Sequence, residues 1–316
     1  MVSKAVMNKR KAQKRTLGIT SNKTATVWRK REAVAKRYMR AAFTQMGQKG
    51  ELTSAHNLGH VQRVSLYAGE YVKTMGGGLK KQARARIGGL AHDRFRDAAD
   101  SMKQKEQNIE THETKGARYM QPLFEKRYGS KSARVIAEAM GKHGSLPALS
   151  EVGKNLERDG IAFADKFFEA NGAYIGFRRS MFMGERADWK AEAIKRDVAH
   201  NPAALRYLAV EAILKESEKR VAAFSDLSKI PTHMHKFVKY QVEWQHKLVA
   251  GLQAGDKGIV NLTTVLFAEG LKEKPRDLGE LIKTYKPVAQ SDAAFKQEAM
   301  DYLNGKLAVK FKQLLG

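Results

Sequence analysis

The sequence predicts an all-α protein. Only six prolines interrupt 316 residues, and Ala, Leu, Lys, Arg and Glu, the strong helix formers, are plentiful. Apolar residues recur at helical spacing, while no strand-like alternation runs long enough to build a sheet. A hydrophobic share of 42% suffices for a real core, and the length fits one large domain or two ordinary ones.

The elements follow in order. A first helix is expected over about 25–46, stopped by Gly47 and Gly50. Thr53 or Ser54 can cap a second helix reaching Lys73, with Val61, Val64, Leu66, Ala68 and Val72 apolar, before Gly76-Gly77-Gly78 breaks it. A third, over about 80–92, carries Ile87, Leu90 and Ala91 into the core. The polar stretch 94–110 reads as a loop with room for a short helix. Helices are then expected over 111–128, 130–143 and 157–171, punctuated by Gly144, Pro147 and Gly153. Beyond Gly184 come longer segments at 187–199, 202–225, 231–254 and 291–314. The expected organisation is a basic N-terminal arm and helix over 1–50, a chemistry-bearing domain over 51–185 and a helical C-terminal region over 186–316.

Charge is unevenly spread. The chain has 58 Lys+Arg against 33 Asp+Glu, a formal net charge of +25. Residues 1–40 hold thirteen of the cations and a single acid, Glu32. Such a field attracts polyanions, so nucleic acid, nucleotides or an anionic membrane face are the expected partners of the arm, and an acid-poor basic start also resembles an organelle-targeting segment. No apolar run approaches the ~18 residues of a membrane span, and no signal-peptide core follows the basic start, so a cytoplasmic protein is expected. The C-terminal helices carry apolar periodicity without a chemical signature and are expected to pack on the first part or to serve an oligomer contact.

Zero cysteines exclude a disulfide scaffold, a thiol nucleophile and thiolate metal sites, which leaves the nine His and the carboxylates as metal ligands. No phosphate loop, nucleophile elbow or His-Glu-x-x-His pattern occurs. His233, His235 and His246 form a group without a nearby acid and read as structural. The doublet His92-Asp93 is different, because it ends the apolar run Ile87-Gly88-Gly89-Leu90-Ala91. An ionised Asp beside a His next to a core is costly unless a cation or strong hydrogen bonds compensate. Imidazole and carboxylate together suit a divalent transition metal.

Five segments in order resemble the HD-domain metal-dependent phosphohydrolases. These are His60-Val61-Gln62-Arg63-Val64, Leu90-Ala91-His92-Asp93, His112-Glu113-Thr114-Lys115-Gly116-Ala117, the helix ending at His143, and Ala164-Asp165-Lys166. The resemblance implies an HD-type helical bundle in which His60, His92, Asp93 and Asp165 ligate one divalent metal ion (Mn, Mg, Co, Ni, Fe or Zn). It further implies that Asp93 can bridge to a second ion, with His112 and His143 as its candidate ligands, so Asp93, His112 and His143 carry the catalytic expectation. The implied reaction is hydrolysis of a phosphoester of a nucleotide or nucleic acid by a metal-activated water. The alternative is a nucleic-acid-binding protein that keeps the HD fold mainly as a scaffold.

Two departures from the family pattern bear on substrate. The doublet is followed by Arg94-Phe95-Arg96-Asp97 rather than by the loop lysine of many members. Arginine binds phosphate through a planar fork, so Arg94 and Arg96 are expected to contact a substrate phosphate, as are Arg178 and Arg179 after the Asp165 helix. His56, one turn before His60, is a further substrate-side candidate.

Overall fold

The computed structural model describes residues 4–48, 57–95 and 111–315, and these are all-α, with no strand among them. The helices are α1 (Lys4–Gln48), α2 (Leu58–Thr74), α3 (Leu79–Ala91), α4 (His112–Tyr128), α5 (Ser130–Gly141), α6 (Leu156–Phe163) and α7 (Ala173–Glu185). They continue as α8 (Ala187–Lys195), α9 (Pro202–Ser225), α10 (His235–Gln253), α11 (Lys257–Leu271), α12 (Leu278–Thr284), α13 (Gln290–Leu303) and α14 (Leu307–Leu315). Most of the expected 94–110 loop, with Arg96, and also His56, lies outside the described residues.

Several boundaries differ from expectation for identifiable reasons. The cap of α2 is Asn57 rather than Thr53 or Ser54, its side chain accepting the His60 amide at 3.0 Å. Helix α1 starts at Lys4 instead of near residue 25, because Lys, Arg, Ala and Gln favour helix even where no apolar period marks it. The segment expected over 291–314 is two helices, broken where Gly305 adopts a left-handed φ of 76°. Helix α11 was not foreseen. It is apolar on nearly every side and is buried between α7, α9 and α13, so it shows no amphipathic stripe.

Helix α2 divides the interior. Its Val61 joins Trp28, Met39 and Phe43 of α1, Ile87 of α3, and Met120 and Phe124 of α4 in one apolar cluster. Val64, Tyr67 and Tyr71 on the next faces join Phe163, Phe167, Phe168, Phe237 and Phe311 in the other. This larger cluster runs from α2 to α14 without a break at residue 185, since Met181 and Met183 pack with Leu266 and Phe267. No helix among the described residues is long and apolar enough to cross a membrane.

Helices α7 and α11 touch backbone to backbone. A Cβ at Gly184 would run into Phe267 O, and one at Gly270 into Met181 O, and a backbone carbonyl cannot rotate away. Gly184→Ala and Gly270→Ala should each cost about 1–3 kcal/mol, the overpacking range. Thermal unfolding is expected to show this as a Tm lower by roughly 2–4 °C per kcal/mol. Gly176→Ala in the same helix, whose Cβ would meet Leu248 at an ordinary 3.4 Å, should leave Tm unchanged or raise it.

Candidate metal centre

Six side chains named from the sequence arrive from five segments. His60 lies in the first turn of α2, where the Asn57 cap holds its amide. His92 and Asp93 sit just past α3, whose preceding Leu90 and Ala91 are locked into the core. His112 opens α4, His143 follows α5, and Asp165 belongs to a widened turn that continues α6. Helices α2 and α3 come close enough because position 89 is glycine: a Cβ there would lie 2.9 Å from Ser65 Cα. All six residues except His112 are at least nine-tenths buried, and His112 is half-buried.

The structure brings these groups together. His60 Nε2 lies 3.3 Å from Asp93 Oδ2 and 3.4 Å from Asp165 Oδ1. His92 Nε2 lies 3.5 Å from Asp93 Oδ2 and 3.8 Å from Asp165 Oδ1. On the other side, Asp93 Oδ1 is 3.6 Å from His112 Nε2. Three overlapping groups result, His60/His92/Asp165, His92/Asp93/His143 and His112/Glu113/His143, each with ligand atoms within 4.8 Å of one another. Two ligands at about 2.0–2.3 Å from a common ion stand this far apart, so each group could hold a metal ion. Glu113 was not foreseen as a member. It precedes Thr114 on the first turn of α4 and reaches His112 Nδ1 at 3.3 Å.

The ring orientations suit cation binding. His92 Nδ1 donates to Gly89 O at 2.8 Å and His143 Nδ1 to Met140 O at 2.5 Å. Each bond fixes a tautomer whose Nε2 lone pair is turned into the cluster, and neither Nε2 makes a hydrogen bond among the described residues. For His60 the corresponding acceptor is the carboxylate of Glu169, with Nδ1 to Oε2 at 3.0 Å. Glu169 also accepts from Arg63 Nε at 2.9 Å and from Arg178 Nη1 at 2.8 Å.

Glu169 escaped the sequence reading because of one backbone irregularity. Residues Ala164–Phe168 wind as a π-helical turn, closed by Glu169 N to Ala164 O at 3.1 Å. Such a turn holds more residues than an α-turn, so positions four apart fall nearly on one line. Asp165 therefore meets Nε2 of the His60 ring while Glu169 meets Nδ1. No pattern in the sequence marks a π-turn.

The charges of the cluster are interdependent. Burial lowers the His60 pKa, but hydrogen bonds to Asp165, Asp93 and Glu169 outweigh it and push the group up to about 9. Burial dominates at His92, whose pKa is lowered, and at His143, which burial and the neighbouring His92 bring down to about 4. Burial opposes ionisation of Asp165, yet Lys166, His60 and His92 hold its carboxyl well below the usual range. Glu169 is likewise held at about 2 against the cost of burial, chiefly by Arg63, His60 and Arg178.

The expected phosphate-binding arginines fare differently. Arg178 does not line a pocket edge. It is 2% exposed, and its guanidinium is engaged by the Glu169 carboxylate and by Glu169 O at 2.5 Å. A basic residue on a basic chain reads as surface in sequence, whereas here it neutralises a buried acid. Arg179 is half-buried with its guanidinium 5.6 Å over the Phe182 ring. Arg94 is half-buried and donates from Nη1 to Met46 Sδ at 3.3 Å, tying the doublet to the end of α1. Arg96 lies outside the described residues. His233 and His235 stand apart from the cluster, with Tyr71 OH and Ile230 O respectively as their partners.

Compared with known proteins, the chain matches no family model, no curated protein and no solved structure.

The Glu169 pair gives a pH-dependent prediction. Its folded pKa of about 2 lies below the ordinary 4.5, so its stabilisation is complete above pH 4.5 and disappears as pH falls toward 2. A shift of that size corresponds to about 3 kcal/mol, similar to the roughly 3–5 kcal/mol cost of breaking a buried pair. Urea unfolding of Glu169→Gln should show a loss of about 3 kcal/mol at pH 7 that shrinks to about 1 kcal/mol near pH 2.5. Equal losses at both pH values would mean that the carboxylate charge is not what matters.

Proposed function

We propose that this chain is a metal-dependent phosphohydrolase of the HD type that cleaves a phosphoester of a nucleotide or nucleic acid. The observation that carries the reading is the two-sided position of Asp93. Its Oδ2 faces His60 and His92 at 3.3 and 3.5 Å, and its Oδ1 faces His112 at 3.6 Å. A carboxylate so placed could offer one oxygen to each of two adjacent cations, and the order of the surrounding motifs agrees with the family resemblance.

His60, His92, Asp93 and Asp165 would hold the first ion, and His112 and His143 would serve a second, with Glu113 beside them. A bound divalent ion supplies activation of water at neutral pH and neutralises charge developing on phosphoryl oxygens. The protein residues contribute orientation. Gly89 O, Met140 O and Glu169 each hold an Nδ1–H, so that the opposite ring nitrogens face inward. Lys166 lies at the rim, its ammonium 3.0 Å from Asp165 Oδ2 and its side chain 34% exposed, which suits an anionic substrate arriving from solvent. Arg94 borders the doublet on the α1 side.

Metal analysis of the purified protein, followed by a phosphoester panel with Mn²⁺, Mg²⁺, Co²⁺ or Ni²⁺, tests this reading. Asp93→Ala should abolish both metal retention and hydrolysis, because it removes the shared ligand and leaves the remaining site wrongly charged. His143→Ala should weaken hydrolysis more modestly if one ion suffices, and equally if two are obligatory. Full hydrolysis by folded Asp93→Ala would contradict the assignment.

A further inference from the structure

Helix α1 is sided. Its apolar stripe, Trp28, Ala35, Met39, Phe43 and Met46, is buried against α3 and α4. The opposite side exposes Arg29, Lys30, Arg37 and Arg40. At about 100° per residue these four fall within roughly 100° of arc. The only acid of the helix, Glu32, does not cancel them, because it is held by Lys36 at 2.9 Å and lies 3.6 Å from Arg86.

The direction of α1 adds a second observation. At one end, Trp28 packs by Tyr128 at the end of α4, with ring centroids 6.3 Å apart, and the Lys80 ammonium at the start of α3 lies 6.0 Å from the indole. At the other end, Met46 receives the Arg94 hydrogen bond, one residue beyond Asp93. Helix α1 thus runs parallel to α3, and its course leads toward the candidate metal centre. From Arg29 to Arg40 it covers about 17 Å, and about 9 Å more reaches Met46. Before Thr24 the helix continues for about 30 Å to Lys4, and that stretch of sequence holds Lys9-Arg10-Lys11 and Lys14-Arg15.

We propose that the exposed basic face of α1 is a docking track for the sugar–phosphate backbone of a nucleic acid, which it leads to the metal centre. The chemistry favours phosphates on a polymer over an anionic membrane surface. Interfacial helices bind lipid by inserting an apolar face beneath the charged one, and the apolar face of this helix is already buried in the core. A row of cations along one helix, whose apolar stripe is buried and whose large exposed apolar side chains among the described residues are only Val27 and Tyr38, matches a repeating phosphate chain. The track's destination rests on the phosphohydrolase reading, whereas its binding of nucleic acid does not.

Fluorescence polarisation with labelled duplex DNA, single-stranded DNA and RNA oligonucleotides tests the track on the full chain. The intact protein should bind with a strongly salt-dependent Kd, on the order of micromolar at physiological salt. The variant Arg29→Gln/Lys30→Gln/Arg37→Gln/Arg40→Gln should bind roughly tenfold or more weakly. Its log Kd against log salt slope should flatten by up to about 0.9 per lost contact on duplex, or about 0.7 on single strands. The pairs Arg29→Gln/Arg37→Gln and Lys30→Gln/Arg40→Gln should each show part of the effect, and they serve if the quadruple variant misfolds. Circular dichroism, metal content and hydrolysis of bis(p-nitrophenyl) phosphate should match the intact chain. Oligonucleotide binding unchanged in all variants, absent from the intact protein, or replaced by binding to phosphatidylglycerol vesicles overturns the track. Absence of small-ester hydrolysis alongside weakened oligonucleotide binding in the variants would instead leave the track standing and remove the phosphohydrolase reading.

Discussion

Two carboxylates buried among imidazoles set the terms for the first half of this fold. Asp93 and Asp165 are 1% and 9% exposed, and an ionised carboxylate in such surroundings must be compensated within hydrogen-bond or Coulomb range. The compensation is local and directional. His60 lies between the two, Lys166 touches Asp165 from outside, and His92 and His112 complete the ring. The neighbouring backbone is shaped to permit this. Gly89 lets α3 lie against α2, Asn57 holds the His60 turn, and the π-turn after α6 swings Asp165 inward.

Magnitudes separate this centre from the many ion pairs elsewhere. Pairs such as Lys247–Glu243 at 2.8 Å or Lys283–Glu280 at 2.7 Å are exposed, and water and salt reduce such contacts to about 0–1 kcal/mol. Glu169, with Arg63, Arg178 and His60 around it, is screened from water and cannot lose one partner without stranding the others. The consequence is rigidity where it is useful. A ligating imidazole whose far nitrogen is held by a carboxylate keeps its orientation and gains basicity. The guanidinium of Arg178 thus acts on the inward-facing Nε2 of the ring only through Glu169 and the His60 Nδ1 edge.

The sequence made some of this legible and hid the rest for physical reasons. The helices of residues 57–95 and 111–143 were readable because each buries one stripe and ends at a glycine or a capping side chain. The six cluster residues were legible through five ordered segments that resemble one family, and only the doublet His92-Asp93 stood out by its own chemistry, as an acid beside a histidine at the end of an apolar run. Glu169 was hidden, since its role depends on a π-turn that shifts register by one residue without any compositional sign. Arg178 was misplaced for a related reason: among 58 cations nothing in the sequence distinguishes one that neutralises a buried acid. Helix α11 is hidden because a segment buried on nearly every side has no polar face to reveal its period, whereas α12, with Glu280 and Lys283 exposed, spans only seven residues and is too short to show one.

The central claim is that the inward-facing nitrogens and oxygens of His60, His92, Asp93 and Asp165 surround a cation. Anomalous diffraction from crystals grown with Mn²⁺ tests it most directly. The account predicts a peak about 2.0–2.3 Å from those four side chains, with a second peak, if present, on the His112 and His143 side of Asp93. Crystals saturated with Mn²⁺ that show the four side chains bonded only to one another, with no anomalous density between them, would contradict it.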